Sequence, residues 1–246
     1  MSSTLQTSGA SLSARLSKAL RLMVMKSARV TEVAAVAERF RLVTLENPAF
    51  KELTWVPGQK LQVAMGSAFM ARTFTPMEWD PAKGCTRILG YAHGNGPGSD
   101  WIRRVSVGDE CDVFGPRSSL KLTESAPSLA VLGDETSIGL AYSLLHESPA
   151  RMVRCLLEVS DVQSVRQVTT PLGLGDATLV RRRDDDSHVQ EIAASLRPLA
   201  TAGTAFVLTG RAHFIQGLRR ALKDVGVSSS HLMTKPHWAP GRTGLD

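Results

Sequence analysis

The tetrapeptide Arg72–Thr73–Phe74–Thr75 sets a cation, an aromatic ring and two hydroxyls within four residues of one extended stretch. Side chains alternate along a strand, so Arg72 and Phe74 share one face and Thr73 and Thr75 the other. A cation beside an apolar wall, with hydrogen-bonding groups along its edge, suits a heteroaromatic cofactor that also carries a pyrophosphate. The same residues equally make an ordinary half-buried strand with an arginine at its edge. A second set runs from His93 through Gly94, Asn95, Gly96, Pro97, Gly98, Ser99 and Asp100 to Trp101. Its glycines let the main chain approach a ligand closely. Amides at a helix start around Gly98 to Asp100 are donors for phosphate, and Ser99 adds a hydroxyl. Asp100 competes with that role as a cap for the same amides, and His93 fits a loop histidine as well as a ligand contact.

Two further clusters follow. Gly108–Asp109–Glu110 and Gly115–Pro116–Arg117 bracket a strand between turns, with Arg117 as a surface charge. Leu132–Gly133–Asp134–Glu135–Thr136–Ser137–Ile138–Gly139 is a strand-to-helix turn. It is not GxGxxG, so the dinucleotide fingerprint is absent. Thr136 and Ser137 there either cap the helix or hold a phosphate or ribose hydroxyl.

The elements that must position these residues change character along the chain. Short alternating or β-branched stretches at 29–35, 39–45, 60–64, 71–78, 86–92 and 110–114 are separated by turns such as Glu46–Asn47–Pro48 and Pro57–Gly58. With one short helix near Ser99–Val105, they predict a small antiparallel barrel or sandwich. From Ser128 the rhythm becomes strand then helix. Strands are expected at 129–132, 152–159, 178–180, 204–208 and 231–234, and helices at 136–146, 187–196 and 212–225, with Pro198 ending the second. That order predicts a parallel sheet covered on both faces, with ligands outside the carboxyl ends of its strands. The expected domains are an amphipathic segment over residues 1–27, a barrel over 28–126 and an α/β domain over 127–246.

RTFT at 72–75, HGNGPGSDW at 93–101, GD at 108–109, GPR at 115–117, GDETSIG at 133–139 and the closing His237–Trp238–Ala239–Pro240–Gly241 stand in the order found in siderophore-interacting proteins. The chain resembles that family from about Ala28 to Gly241. The resemblance implies a ferredoxin-reductase-like fold, an antiparallel flavin-binding barrel before a nucleotide-binding α/β domain, and FAD as cofactor. It also implies NAD(P)H as electron donor and a ferric siderophore or other ferric chelate as acceptor, with Fe(II) released. On it, Arg72 binds the FAD pyrophosphate, Phe74 walls the isoalloxazine, and Thr73 and Thr75 contact the cofactor, Thr75 near N5. His93, Gly96, Gly98 and Ser99 line the flavin and phosphate loop. Asp134, Glu135 and Thr136 face the NAD(P)H site, and Thr75 and Trp238 are the catalytic candidates. Phe74 stands where the family usually has Tyr, Met77 where an Arg is common, and His237 where a Tyr precedes the Trp. Two other readings share the flavin motifs: a reductase for a protein acceptor such as an oxygenase or a ferredoxin-like carrier, and a flavin-binding protein without turnover.

Composition narrows the field further. The 246 residues are 43% hydrophobic and 21% charged, which suits one or two globular domains. No apolar window reaches the ~18 residues of a spanning helix. Cys85, Cys111 and Cys155 form no CxxC pair, so neither a zinc site nor a disulfide framework is expected, and a reducing, cytoplasmic setting is. The net charge of +6 is concentrated at the start: Arg15, Lys18, Arg21, Lys26 and Arg29 supply five positive charges before Glu32, leaving +1 for the rest. With aromatics at 5% and Arg181–Arg182–Arg183 followed at once by Asp184–Asp185–Asp186, which reads as a solvated turn, nucleic-acid binding is not expected. Leu12, Leu16 and Leu20 recur every four residues, giving residues 1–27 one apolar and one basic face. That pattern fits a helix docked on the domain behind it, a transit or interfacial segment, or the lead element of a basic binding module. No GxSxG elbow, HExxH or other catalytic set competes.

Overall fold

The computed structural model describes residues 25–65, 71–122, 126, 128–147 and 150–242. The amphipathic segment therefore lies outside the described residues up to Val24, and Lys26 and Ser27 begin the first strand. Seven antiparallel strands form the first half: β1 (Lys26–Ala37), β2 (Phe40–Glu46), β3 (Lys60–Ala64), β4 (Ala71–Phe74), β5 (Pro76–Asp80), β6 (Cys85–Tyr91) and β7 (Glu110–Arg117). Their order in the sheet is β4-β3-β7-β1-β2-β6-β5. Alternation turns Val30, Val43, Leu45, Val63, Ile88 and Val113 inward, and a 3₁₀ turn over Pro48–Glu52, capped by Asn47, adds Phe50 to that core.

A single strand expected over 71–78 is in fact two. Pro76 brings no N–H to continue the β3–β4 ladder, and the chain leaves it at Thr75. β4 lies at one edge of the sheet and β5 at the other, so one residue joins the two edges and closes the barrel. One helix, α1 (Pro97–Arg104), follows β6.

Five parallel strands form the second half: β8 (Ser128–Gly133), β9 (Met152–Val159), β10 (Thr178–Arg181), β11 (Ala205–Arg211) and β12 (Leu232–Trp238), in the order β10-β9-β8-β11-β12. Strand order reverses between β8 and β11, so the crevice beyond their carboxyl ends is a topological switch point. A 3₁₀ turn over Glu135–Ser137 leads into α2 (Ile138–Glu147), and α3 (Val162–Thr169), α4 (Ser187–Ser195), α5 (Arg197–Thr201) and α6 (Ala212–Asp224) complete the layers. α3 and α5 were not expected. Asp161 caps α3 by accepting from the Ser164 amide, and Pro198, expected to stop a helix, instead sits in the first turn of the next. Leu129 and Val131 point to the α2–α3 face, while Ala130 and Leu132 point to the α4–α6 face. Phe40 of the barrel is buried in the first of these clusters, with Leu89 and Tyr91 packed against it, so that cluster spans the seam between the halves beside the barrel's own core.

A cleft between barrel and parallel sheet as the candidate functional site

β4, the loop before α1, the turn after β8 and the end of β12 meet around a cleft of about 470 Å³, a size suited to a cofactor-binding cleft. Arg72, Thr73, Phe74 and Thr75 all line it, as do His93, Gly96, Gly98 and Ser99 of the α1 loop, Thr136 of the switch-point turn, and Trp238. Ten of the twelve residues singled out from sequence are thus brought to one cleft. Asp134 and Glu135 are not.

On the barrel side the start of α1 is open. Its N-cap is Gly96, without a side-chain cap, and Asp100 pairs with Arg103 instead of the first-turn amides. Gly98 packs on the Arg72 stem, where a Cβ would lie 3.1 Å from Arg72 Cγ. The Arg72 stem and the helix start therefore lie side by side at the cleft, with Nη1 donating to the Ala71 carbonyl at 2.8 Å, an arrangement that suits an anion. Ser99 is buried and donates its hydroxyl to the His93 carbonyl at 2.9 Å, which fixes the loop's shape. Phe74 faces Trp101 with ring centroids 5.5 Å apart, forming an apolar wall. Met77 is fully buried, so the position where the family often has an arginine faces the core here. Arg117 lies outside the cleft, bonded to Gln62 and stacked on Phe114.

On the α/β side the turn after β8 is filled by its own side chains. Asp134 is fully buried; Oδ1 accepts from the Thr136 amide and hydroxyl, and Oδ2 accepts from Trp238 Nε1 at 2.7 Å. Burial and the neighbouring Glu135 push its pKa up to about 6. Glu135 Oε1 accepts from the Ser160 amide at 2.6 Å and from the Tyr91 hydroxyl, and Oε2 accepts from Arg182 at 2.8 Å. Burial opposes its ionisation, but Arg182 and the Ser160 amide outweigh it and hold the carboxyl below its ordinary value. The expectation that Asp134 and Glu135 face a nucleotide is thus corrected: both spend their oxygens inside the protein, and Thr136 alone of the three reaches the cleft.

Trp238 stacks on His93 with centroids 5.3 Å apart, and the Arg182 guanidinium lies over its ring, 5.7 Å from the centroid. The His93 imidazole opens onto the cleft, yet desolvation by its surroundings lowers its pKa. His237 bonds Thr136 Oγ1 through Nδ1 at 2.9 Å, and burial, aided by Lys235, lowers its pKa to about 4.

Sequence reasoning missed Tyr91, Thr209, Lys235 and Arg242, which also line the cleft. Their only signal was proximity to motifs: Tyr91 precedes His93, and Lys235 and Arg242 flank the His237–Gly241 close. The Arg181–Asp186 run is also corrected, since part of it turns inward. Glu158, fully buried, takes both Nε and Nη2 of Arg211 at 2.7 Å, and His188 at 2.6 Å; Arg211 also bonds Asp186. Glu158, Asp186 and His188 bring ligand atoms within 4.8 Å of one another, but the Arg211 guanidinium already supplies the positive charge there.

Residues 12–120 match the family model of the siderophore-interacting FAD-binding domain. The match covers the barrel half of the chain. The family resemblance read from the motifs is borne out, and so is the fold class. A siderophore utilization protein from T. fusca is 20% identical, with a TM-score of 0.69 over 90% of this chain and 95% of that one. The siderophore-interacting protein SipS from Aeromonas hydrophila is 19% identical, with a TM-score of 0.72 over 89% and 93%. The ferredoxin reductase of carbazole 1,9a-dioxygenase is 17% identical, with a TM-score of 0.68 over 87% of this chain and 69% of that one. At these identities the likeness is one of fold. No curated protein matches the chain. Among the described residues, no helix is long and apolar enough to cross a membrane.

Proposed function

We propose that the chain is a flavoprotein oxidoreductase that holds FAD in this cleft, receives electrons from NAD(P)H and passes them to a ferric siderophore or similar ferric chelate, which then releases Fe(II). One observation supports it above others. The described lining includes Lys60, Arg72, Lys235 and Arg242 and not one carboxylate, while the nearby acids Asp134 and Glu135 are turned away from it. Such a lining favours a pyrophosphate and an anionic chelate together.

FAD, when bound, supplies the hydride and electron chemistry; the protein supplies position and field. Arg72 and the α1 amides would hold the pyrophosphate. Phe74 would wall the ring, Thr73 and Thr75 would offer hydroxyls along β4, and His93 and the open Gly96–Gly98 backbone would shape the loop around it. Thr136 and Trp238 approach from the switch point, the side from which a nicotinamide would enter. Lys235 and Arg242 draw a negatively charged chelate to the mouth. Fe(II) carries less charge than Fe(III) and binds hard oxygen ligands more weakly, so reduction favours release. The three free cysteines fit a reducing, cytoplasmic setting.

The test is absorbance of the purified chain reconstituted with FAD, before and after NADH or NADPH, followed by a ferric hydroxamate chelate with a ferrous-specific chromophore. Bleaching of the flavin band and its return with appearance of Fe(II) is expected. A yellow protein that oxidises neither nucleotide would instead fit a flavin-binding protein without turnover. Likeness of fold to the carbazole dioxygenase reductase favours a second reading, in which the acceptor is a ferredoxin-like protein. Reduction of a ferredoxin, with the ferric chelate left untouched, would select it.

A further inference from the structure

Two side chains at the end of β12 reach back across the sheet to one turn. Trp238 Nε1 meets Asp134 Oδ2 at 2.7 Å, and His237 Nδ1 meets the Thr136 hydroxyl, which itself donates to Asp134 Oδ1. Asp134 thus anchors both ends of this contact. β11 makes room for it: Gly210 has φ +91°, and a Cβ there would lie 2.5 Å from Asp134 Cγ. The indole so held stacks on His93, a residue of the barrel's loop, and lines the cleft. It is one point where a side chain from the second half closes onto the first.

We propose that Asp134 is the positioning residue of Trp238: its carboxylate latches the indole Nε1–H and so fixes the ring as a wall of the cleft. The latch stands on geometry alone. The carboxylate suits the task because it has only acceptors, and three donors converge on it: the Thr136 amide, the Thr136 hydroxyl and the indole. An asparagine cannot accept all three. Its oxygen stays with the nearby Thr136 amide, and its NH₂ then opposes the indole N–H.

The charged and titratable groups facing Asp134 are few. Glu135 adjoins it in the same turn and raises its pKa, Arg182 just after β10 interacts with it electrostatically, and His237 of β12, neutral, meets it through Thr136 with Lys235 nearby. From β11 it meets Gly210, and the next residue, Arg211, is spent on Glu158 and Asp186. Protonation of Asp134 therefore weakens the latch.

The test is acrylamide quenching of the full-length chain without added nucleotide, with Trp238→Phe subtracted to isolate the Trp238 signal. Wild type should show a shielded indole at neutral pH that opens as pH falls through about 6. Asp134→Asn should expose it at all pH values, shifting the latched-to-released ratio by about tenfold or more. Glu135→Gln should move the inflection to lower pH, because the like charge that raises the Asp134 pKa is gone; this variant carries the test if Asp134→Asn does not fold. An indole equally shielded in a folded Asp134→Asn protein, or an inflection unmoved in Glu135→Gln, overturns the latch.

Discussion

Two helix starts border the same cleft and are built in opposite ways. At α1 the cap is a glycine, the nearest acid turns to Arg103, and Arg72 packs against the first turn. At the turn before α2 the cap is Asp134, in a full capping box with Ser137, and Glu135 follows at once. Both starts carry unpaired amides and a partial positive charge. The first leaves that charge for a ligand and reinforces it with a cation. The second neutralises it with a buried carboxylate and uses the surplus acceptor capacity to hold Trp238. A helix start is therefore an anion site only where the sequence declines to fill it.

Variants that exchange these two characters separate binding from scaffolding. The largest effect is expected where buried charge is purely structural. Arg211→Ala leaves Glu158 without its bidentate partner and should cost about 3–5 kcal/mol in urea unfolding, with the flavin still bound by the folded fraction. Arg72→Ala should weaken FAD by about tenfold or more, since charge-assisted bonds are worth ~1.5–3 kcal/mol each, while Arg117→Ala leaves FAD retention near wild type. Equal flavin per mole of protein after gel filtration in both variants would remove Arg72 from the open site.

Gly98→Val should weaken FAD by a smaller, severalfold factor, because its side chain meets the Arg72 stem 3.1 Å from the backbone position of its Cβ; isothermal titration reads this directly. At the filled start the effect appears against pH. Asp134 has a folded pKa of about 6 against 3.8 unfolded, so the folded state binds its proton first and this group adds stability as pH falls through that interval. Denaturation from pH 7 to 5 should therefore show wild type gaining on Asp134→Asn. Phe74→Tyr should change least. Phe74 lines the cleft and half-packs on Trp101, so the added hydroxyl faces open space, and FAD affinity and melting temperature should match wild type or better. A lowered melting temperature with an unchanged FAD-dependent shift would place that ring in the core.

The open start was legible in the sequence because everything it needs is local: Gly96, Gly98 and Ser99 lie in one loop, and Arg72 pairs through one short strand. The filled start was not. Whether Asp134 faces a ligand or the interior is decided by Gly210 and Trp238, and Glu135 is decided by Tyr91, Ser160 and Arg182, all far along the chain. The same distance hid the inward turn of Arg182 and Asp186, whose neighbours in sequence are solvent-facing charges. In the fold, alternation revealed the strands but not the break at Thr75, because Pro76 is compatible with an extended chain and only the closure of the barrel demands the split. α3 was missed because its apolar face is just Val162, Val165 and Val168, spaced three apart in an otherwise polar segment.

Phe40 sits in the hydrophobic core of the other half, and Tyr142 of α2 bonds Glu78 of β5. Two domains sewn together in this way do not hinge as independent lobes, so the width of the cleft is set when the protein folds. Access must then be controlled by individual side chains at the seam, and heat or protease should find one cooperative object where the topology alone would suggest two.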